Sequence, residues 1–189
     1  MEILEIKDLE RLAKKRVPKM FFDYVNSGSW TETTYNENVS DFQKIKLRQR
    51  VAIDMSNRTL ETKMINQPVS MPVAIAPTGL TGMQRADGEI LAAQAAEEFG
   101  IPYTLSTMSV CSIEAVAEKT KKPFWFQLYV MKDKKFMERL IDRAKEAKCS
   151  ALVLTLDLQL LGQRHKDLRN GLSTPPKLIP KHIFQVLTR

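Results

Sequence analysis

The sequence predicts an α/β fold built from repeated strand–helix units with the strands in parallel. Two observations predict it. Four short apolar stretches, PVSMPVAIAPTG (68–79), IPYTLSTMS (101–109), PFWFQLYV (123–130) and ALVLTLDL (151–158), are rich in strand-forming residues and three of them carry a proline at or near their start. Helical patterns fill the intervals between them, as a crossover from one parallel strand to the next requires.

Residues 1–67 form a helical lead-in. The stretch DLERLAKKRVPKMFFDYVNSG reads as two short helices broken at Pro18, with Asp8 as the expected cap, followed by a turn and a further helix. The first strand is expected over 68–79. A helix over 87–100 opens with an acidic cap at Asp87 and closes at Gly100. The second strand, 101–109, leads to a helix over 112–120, with Ser112 as N-cap and Ala115 at its third helical position. The third strand, 123–130, leads to a helix over 133–149 that places Phe136, Leu140, Ile141 and Ala144 on one stripe. The fourth strand, 151–158, is followed by a charged loop. Residues 68–189 thus hold four strands and the loop after the last.

Successive side chains on a strand face opposite ways. In the fourth strand Leu152, Leu154, Leu156 and Leu158 share one face, and Thr155 and Asp157 lie on the other. In the third, Gln127 and Tyr129 share a face with Trp125; in the second, Ser106 lies with Thr104 and Met108; in the first, Thr78 lies with Ala74 and Ala76. Each strand carries polar groups at its C-terminal end. Parallel barrels and open α/β sheets alike build their sites there, from several strands at once. Thr78, Ser106, Gln127, Tyr129 and Thr155 are therefore candidate site residues. Amides and hydroxyls in that pattern suit a flat heterocycle with alternating donors and acceptors. Asp157 suits the orienting of a base or the pairing with a cation, and Arg164 the bidentate recognition of a carboxylate.

Several functional classes are disfavoured. The net charge of +7 is spread along the chain in KLRQR, KTKK, KDKK and QRHKDLR without interleaved aromatics, so nucleic acid is not an expected partner. No G-x-G-x-x-G, Walker loop, H-E-x-x-H or G-x-S-x-G motif occurs. His165 and His182 lack metal-ligand spacing, so no metal is expected. No transmembrane segment or secretory signal is read, and the two cysteines, Cys111 and Cys149, fit a reducing cytoplasm.

Five stretches in order, FFDYVNSGSWTETTYNEN, MPVAIAPTGLTGMQRADGE, GIPYTLSTMSVCSIEAVA, FWFQLYV and LTLDLQLLGQRHKDLRNG, resemble the FMN-dependent 2-hydroxy-acid oxidising family. The resemblance implies an eight-stranded (β/α) barrel with FMN at its C-terminal face, of which residues 1–189 supply the lead-in and the first four strand–helix units. Barrels of this kind typically need about 250 residues.

The resemblance also assigns roles. Tyr24 and Arg164 resemble contacts to the substrate carboxylate. Pro77, Thr78 and Gly79 resemble the loop against the flavin ring, and Ser106, Gln127 and Thr155 the groups that hydrogen-bond it. Tyr129 resembles the phenol near the substrate hydroxyl, and Asp157 the carboxylate that orients a catalytic histidine. That histidine, a flavin-contacting lysine, the main substrate arginine and the phosphate loops belong to the family's second half; His165 is not the base. Gly79 stands where many members carry alanine. Met108 stands where glycolate-oxidising members carry tryptophan, which favours lactate. The implied reaction is oxidation of an L-2-hydroxy acid, L-lactate to pyruvate, with electrons passed to the respiratory chain from the cytoplasmic face of the inner membrane, where the protein would sit peripherally. The alternative is a non-catalytic half-barrel that assembles with a second chain, or the product of a decayed gene.

Overall fold

The computed structural model describes residues 2–172 together with Pro180, Ile183 and Phe184. His182 lies outside the described residues. The chain forms two compact units, one of residues 1–53 with 160–189 and the other of residues 54–159.

The first unit opens with α1 (Ile6–Arg16) and α2 (Lys19–Val25). Asp8, expected as the cap, lies three residues further in. Glu5 holds the cap position, and the Asp8 carboxylate reaches back to accept from the backbone N–H of Leu4 at 3.0 Å and of Glu5 at 3.2 Å. A carboxylate in the first turn satisfies orphan donors as well as a capping one does, and it also favours the positive helix end. The break falls at Pro18, as its missing N–H requires, with Val17 extended before it. Met20, Phe21 and Phe22 of α2 are buried. Helix α3 (Thr33–Ser40) runs into a short 3₁₀ turn, Asp41–Lys44.

The second unit begins with an antiparallel hairpin, β1 (Thr62–Met64) and β2 (Gln67–Val69), closed by Ile65 and Asn66, both at positive φ. The expected first strand is thus divided. Its opening residues pair in the hairpin, and only Ile75 joins the parallel sheet, as a one-residue bridge to Tyr103. Then follow α4 (Thr81–Gln84), α5 (Gly88–Phe99), β3 (Thr104–Ser106), α6 (Ile113–Lys119), β4 (Trp125–Tyr129), α7 (Lys134–Glu146) and β5 (Ala151–Thr155). Strands β3, β4 and β5 are parallel and adjacent in that order.

Local chemistry sets the helix ends. The Ser112 hydroxyl accepts from the Ala115 N–H at 3.1 Å, and the Asp133 carboxylate from the Phe136 N–H at 3.0 Å. Gly100 closes α5 at φ +72°.

One face of the sheet packs on the helices. Tyr103, Leu105, Phe124, Phe126 and Leu128 form the core with Ala93 and Ala96 of α5, Ile113 and Val116 of α6, and Leu140 and Ala144 of α7. Phe136 and Ile141 flank that core, as the stripe on α7 predicts. The leucine face of β5 behaves differently. Leu152 and Leu154 are each 48% exposed, because the helices of this unit lie over β3 and β4. The strand ends at Thr155, so Leu156 and Leu158 lie beyond it, also exposed.

The chain re-enters the first unit at Leu160 and forms α8 (His165–Asn170), which packs on α2. The Asn170 amide donates to the Asp23 carboxylate at 2.7 Å, and Lys19 pairs with the same carboxylate. These partners hold Asp23 below the usual carboxylate range although burial alone would raise it.

Candidate active site

The face of the sheet away from the helices carries a hydrogen-bonded row across three strands. Register places Ser106 opposite Gln127, and Tyr129 opposite Thr155. The Ser106 hydroxyl and the Gln127 Oε1 are 3.2 Å apart, and the Gln127 Nε2 donates to Thr155 Oγ1 at 2.6 Å. Gln127 is 1% exposed. Thr107 braces the row: its hydroxyl donates to the Gln127 carbonyl at 2.6 Å and accepts from the Tyr129 N–H at 3.2 Å.

A buried amide held this firmly has its plane fixed. A primary amide has two N–H donors, and Thr155, accepting from one of them, keeps its own hydroxyl proton. The row thus has donor capacity left at the C-terminal ends of parallel strands. Strand parity puts Tyr129, half-buried, on the same side as Gln127. Asp157 lies two positions past the end of β5 and is exposed. Pro77 and Thr78 are exposed and Gly79 half-buried, in the segment between Ile75 and α4. This segment is tied to the turn after β3 by the Leu80 N–H, which donates to the Met108 carbonyl at 3.0 Å.

Sequence reasoning missed Glu89. The stretch DGE reads as an acidic cap, but Asp87 stands at φ +57° with no side-chain cap bond, and Glu89 is wholly buried. Its Oε1 accepts from the backbone N–H of Gly82 at 3.0 Å and of Val110 at 2.9 Å. Burial alone would raise its pKa; the Val110 and Gly82 N–H groups, together with the Cys111 thiol, outweigh it and keep the carboxyl below its ordinary range. The helical period marks its burial, since Glu89 shares the buried stripe of α5 with Ala93 and Ala96, but not its partners.

In the first unit, Tyr24 and Arg164 are brought together. The Arg164 guanidinium lies 4.8 Å from the Tyr24 ring centroid, and its Nη2 donates to the Tyr24 carbonyl and to Ser27 Oγ, the latter at 3.0 Å. Its Nε is 2.9 Å from Asp167 Oδ2. Burial raises the Asp167 carboxyl, against the pull of Arg164. Lys166 bridges the Asn26 carbonyl and Glu32, both at 3.0 Å. His165 packs edge-on against Trp30, with ring centroids 5.6 Å apart. Arg164 is thus partly committed to internal contacts that charge pattern alone does not reveal.

Among the described residues no cluster of His, Cys, Asp and Glu could hold a metal ion, and no helix is long and apolar enough to cross a membrane.

The sequence profile of the FMN-dependent dehydrogenase family matches residues 13–189. An L-lactate dehydrogenase of Acinetobacter baylyi (strain ATCC 33305 / BD413 / ADP1) is 46% identical over 187 residues, covering 99% of this chain and 49% of that protein. An L-lactate dehydrogenase of Acinetobacter baumannii (strain AYE) is 48% identical over 179 residues, covering 95% and 47%. Among solved structures, the monotopic membrane protein (S)-mandelate dehydrogenase superposes with a TM-score of 0.89 at 33% identity, covering 98% of this chain and 49% of that one. The chain spans about half the length of the relatives it matches.

Proposed function

The chain belongs to the FMN-dependent dehydrogenase family, and on that premise we propose that it supplies the flavin-facing half of an enzyme that oxidises L-lactate to pyruvate. The observation that carries the reading is the Ser106–Gln127–Thr155 row at the C-terminal ends of three parallel strands. Its spare N–H and O–H donors fit the heteroatom edge of an isoalloxazine ring. Pro77, Thr78 and Gly79, close to this row through the Leu80–Met108 bond, offer backbone against the ring face.

When bound, FMN supplies the two-electron acceptor. The roles proposed for this chain's residues are those the family resemblance implies. Tyr129 holds the substrate hydroxyl with its phenol. Tyr24 and Arg164 bind a substrate carboxylate: the guanidinium is already oriented by the Tyr24 ring and Ser27, which limits the entropy lost on binding. Asp157 orients a base and stabilises it when protonated, as a carboxylate does for an imidazole.

Turnover depends on a second half-barrel of the kind the longer relatives carry, whether on the same polypeptide or on a second chain. The L-lactate dehydrogenases at 46–48% identity favour lactate over mandelate. Electron transfer to the respiratory chain, and a peripheral position on the cytoplasmic face of the inner membrane, belong to the same proposal.

The test is anaerobic bleaching of flavin absorbance. The chain is prepared with FMN, alone and together with the C-terminal half of the A. baylyi relative, and challenged with L-lactate, (S)-mandelate and glycolate. The expected result is a yellow complex bleached fastest by L-lactate, and only with the second half present. Faster bleaching by mandelate would overturn the substrate. Rapid bleaching of the chain alone would overturn the need for a second half.

A further inference from the structure

The carboxylate of Glu89 is 0% exposed, yet its Oε1 accepts from backbone amides of two different segments. Gly82 belongs to the segment running from Ile75 through Pro77–Gly79 into α4. Val110 follows the turn that leaves β3 at Ser106. One oxygen therefore joins the segment that follows the Ile75 bridge to the segment that follows β3, and the Leu80–Met108 bond at 3.0 Å forms a second rung between them. Charge-assisted bonds of this kind are roughly twice as strong as neutral ones.

Two glycines show that the join is tight. A Cβ added at Gly82 would lie 2.6 Å from Val110 Cβ and 3.0 Å from Glu89 Oε2. A Cβ at Gly88 would lie 2.8 Å from the Thr81 carbonyl oxygen. Only glycine lets the two segments and the first turn of α5 approach this closely around the carboxylate. An apolar residue at position 89 would fill the space but leave both N–H groups without this acceptor.

We propose that Glu89 is a positioning residue that clamps the 77–82 and 106–110 segments into one surface, so that Pro77–Gly79 and Ser106 meet a bound flavin together. The clamp follows from the geometry above; its consequence for flavin rests on the functional reading of the preceding subsection. The group that matters is an acceptor at Oε1, so glutamine should substitute for much of it and alanine for none.

The experiment uses the 189-residue chain and its Glu89→Ala and Glu89→Gln variants, with two readouts. In amide hydrogen exchange, Glu89→Ala should speed exchange at both Gly82 and Val110 by at least about tenfold and leave the β4 amides within about threefold, while Glu89→Gln restores most of the protection. In titration with FMN in the presence of the C-terminal half of the A. baylyi relative, followed by flavin fluorescence, Glu89→Ala should weaken binding by at least about tenfold, and Glu89→Gln by less than about threefold. Unchanged protection at either amide in a folded Glu89→Ala chain overturns the clamp, and unchanged FMN affinity when protection is lost overturns its consequence for flavin. Should Glu89→Ala fail to fold, Glu89→Gln decides: joint shifts of the Gly82 and Val110 amide resonances support the clamp, and unmoved resonances overturn it. If the unsubstituted chain takes up no FMN even with that second half present, the flavin reading of this chain fails on its own, and the exchange result still decides the clamp.

Discussion

Gln127 and Thr155, on neighbouring parallel strands and 28 residues apart in sequence, are joined side chain to side chain at 2.6 Å. The amide is almost wholly buried, and its other end meets Ser106, so three strands share one polar seam. Replacing Gln127 by leucine would leave buried polar partners without it. The expected loss is about 1–3 kcal/mol of stability, read from urea unfolding, together with weaker FMN binding. A Gln127→Leu chain as stable as the parent would show that the seam contributes no net stability.

Arg164→Lys tests the second cluster. Lysine keeps the charge but not the planar fork that reaches Ser27 while lying over the Tyr24 ring. A loss of about 1–2 kcal/mol is expected, with a further loss of affinity for L-lactate in the reconstituted enzyme. Equal stability and equal affinity in the lysine variant would mean that the fork geometry serves neither purpose.

The pair between α6 and α7 makes stability depend on pH. The Arg143 guanidinium donates from Nε and Nη2 to the Glu114 carboxylate at 2.6 and 2.7 Å, and these bonds hold the carboxyl at about 2, below its ordinary 4.5. A folded-state pKa below the unfolded one stabilises above pH 4.5, and that contribution fades as pH falls towards 2. Both side chains are largely exposed, so the contribution is about 0.5 kcal/mol and is screened by salt. Comparing melting temperatures of the parent and Glu114→Gln from pH 6 to pH 2 should show a gap that closes with acid. A gap that widens with acid would contradict this sign.

Burial pushes the Cys149 thiol up to about 11 from its ordinary 9.0. Its thiolate fraction at pH 8 should therefore be about a hundredfold below that of an unperturbed thiol. Timed labelling by a disulfide reagent should show Cys149 reacting correspondingly slowly, and faster after unfolding in urea. Reaction at the rate of free cysteine would mean that the thiol is not held in its buried site.

Parity along a strand is a property of the extended backbone itself, so the shared face of Gln127 and Tyr129, and of Thr155, could be read from the order of residues. The cap at Ser112, the break at Pro18 and the stripe on α7 were legible for the same reason, since each depends on neighbours within a turn or two. The likeness to a flavin-dependent family was also present in the order of residues, and it extends to the family profile over residues 13–189.

What only the tertiary structure decided lies between segments. Ile75 pairs with Tyr103 while Pro68 and Val69 pair in the antiparallel hairpin, because pairing depends on what lies alongside as well as on strand propensity. Asp8 serves from the third helical position because the cap is set by where the chain enters the helix. Arg164 reads as a carboxylate-binding cation, and its contacts with the Tyr24 ring and Ser27 come only from the fold. Glu89 is the clearest instance. Its partners are the backbone N–H groups of Gly82 and Val110, and a backbone N–H looks the same in every residue type but proline, so nothing in the order of side chains marks it as the acceptor until both segments are packed around it.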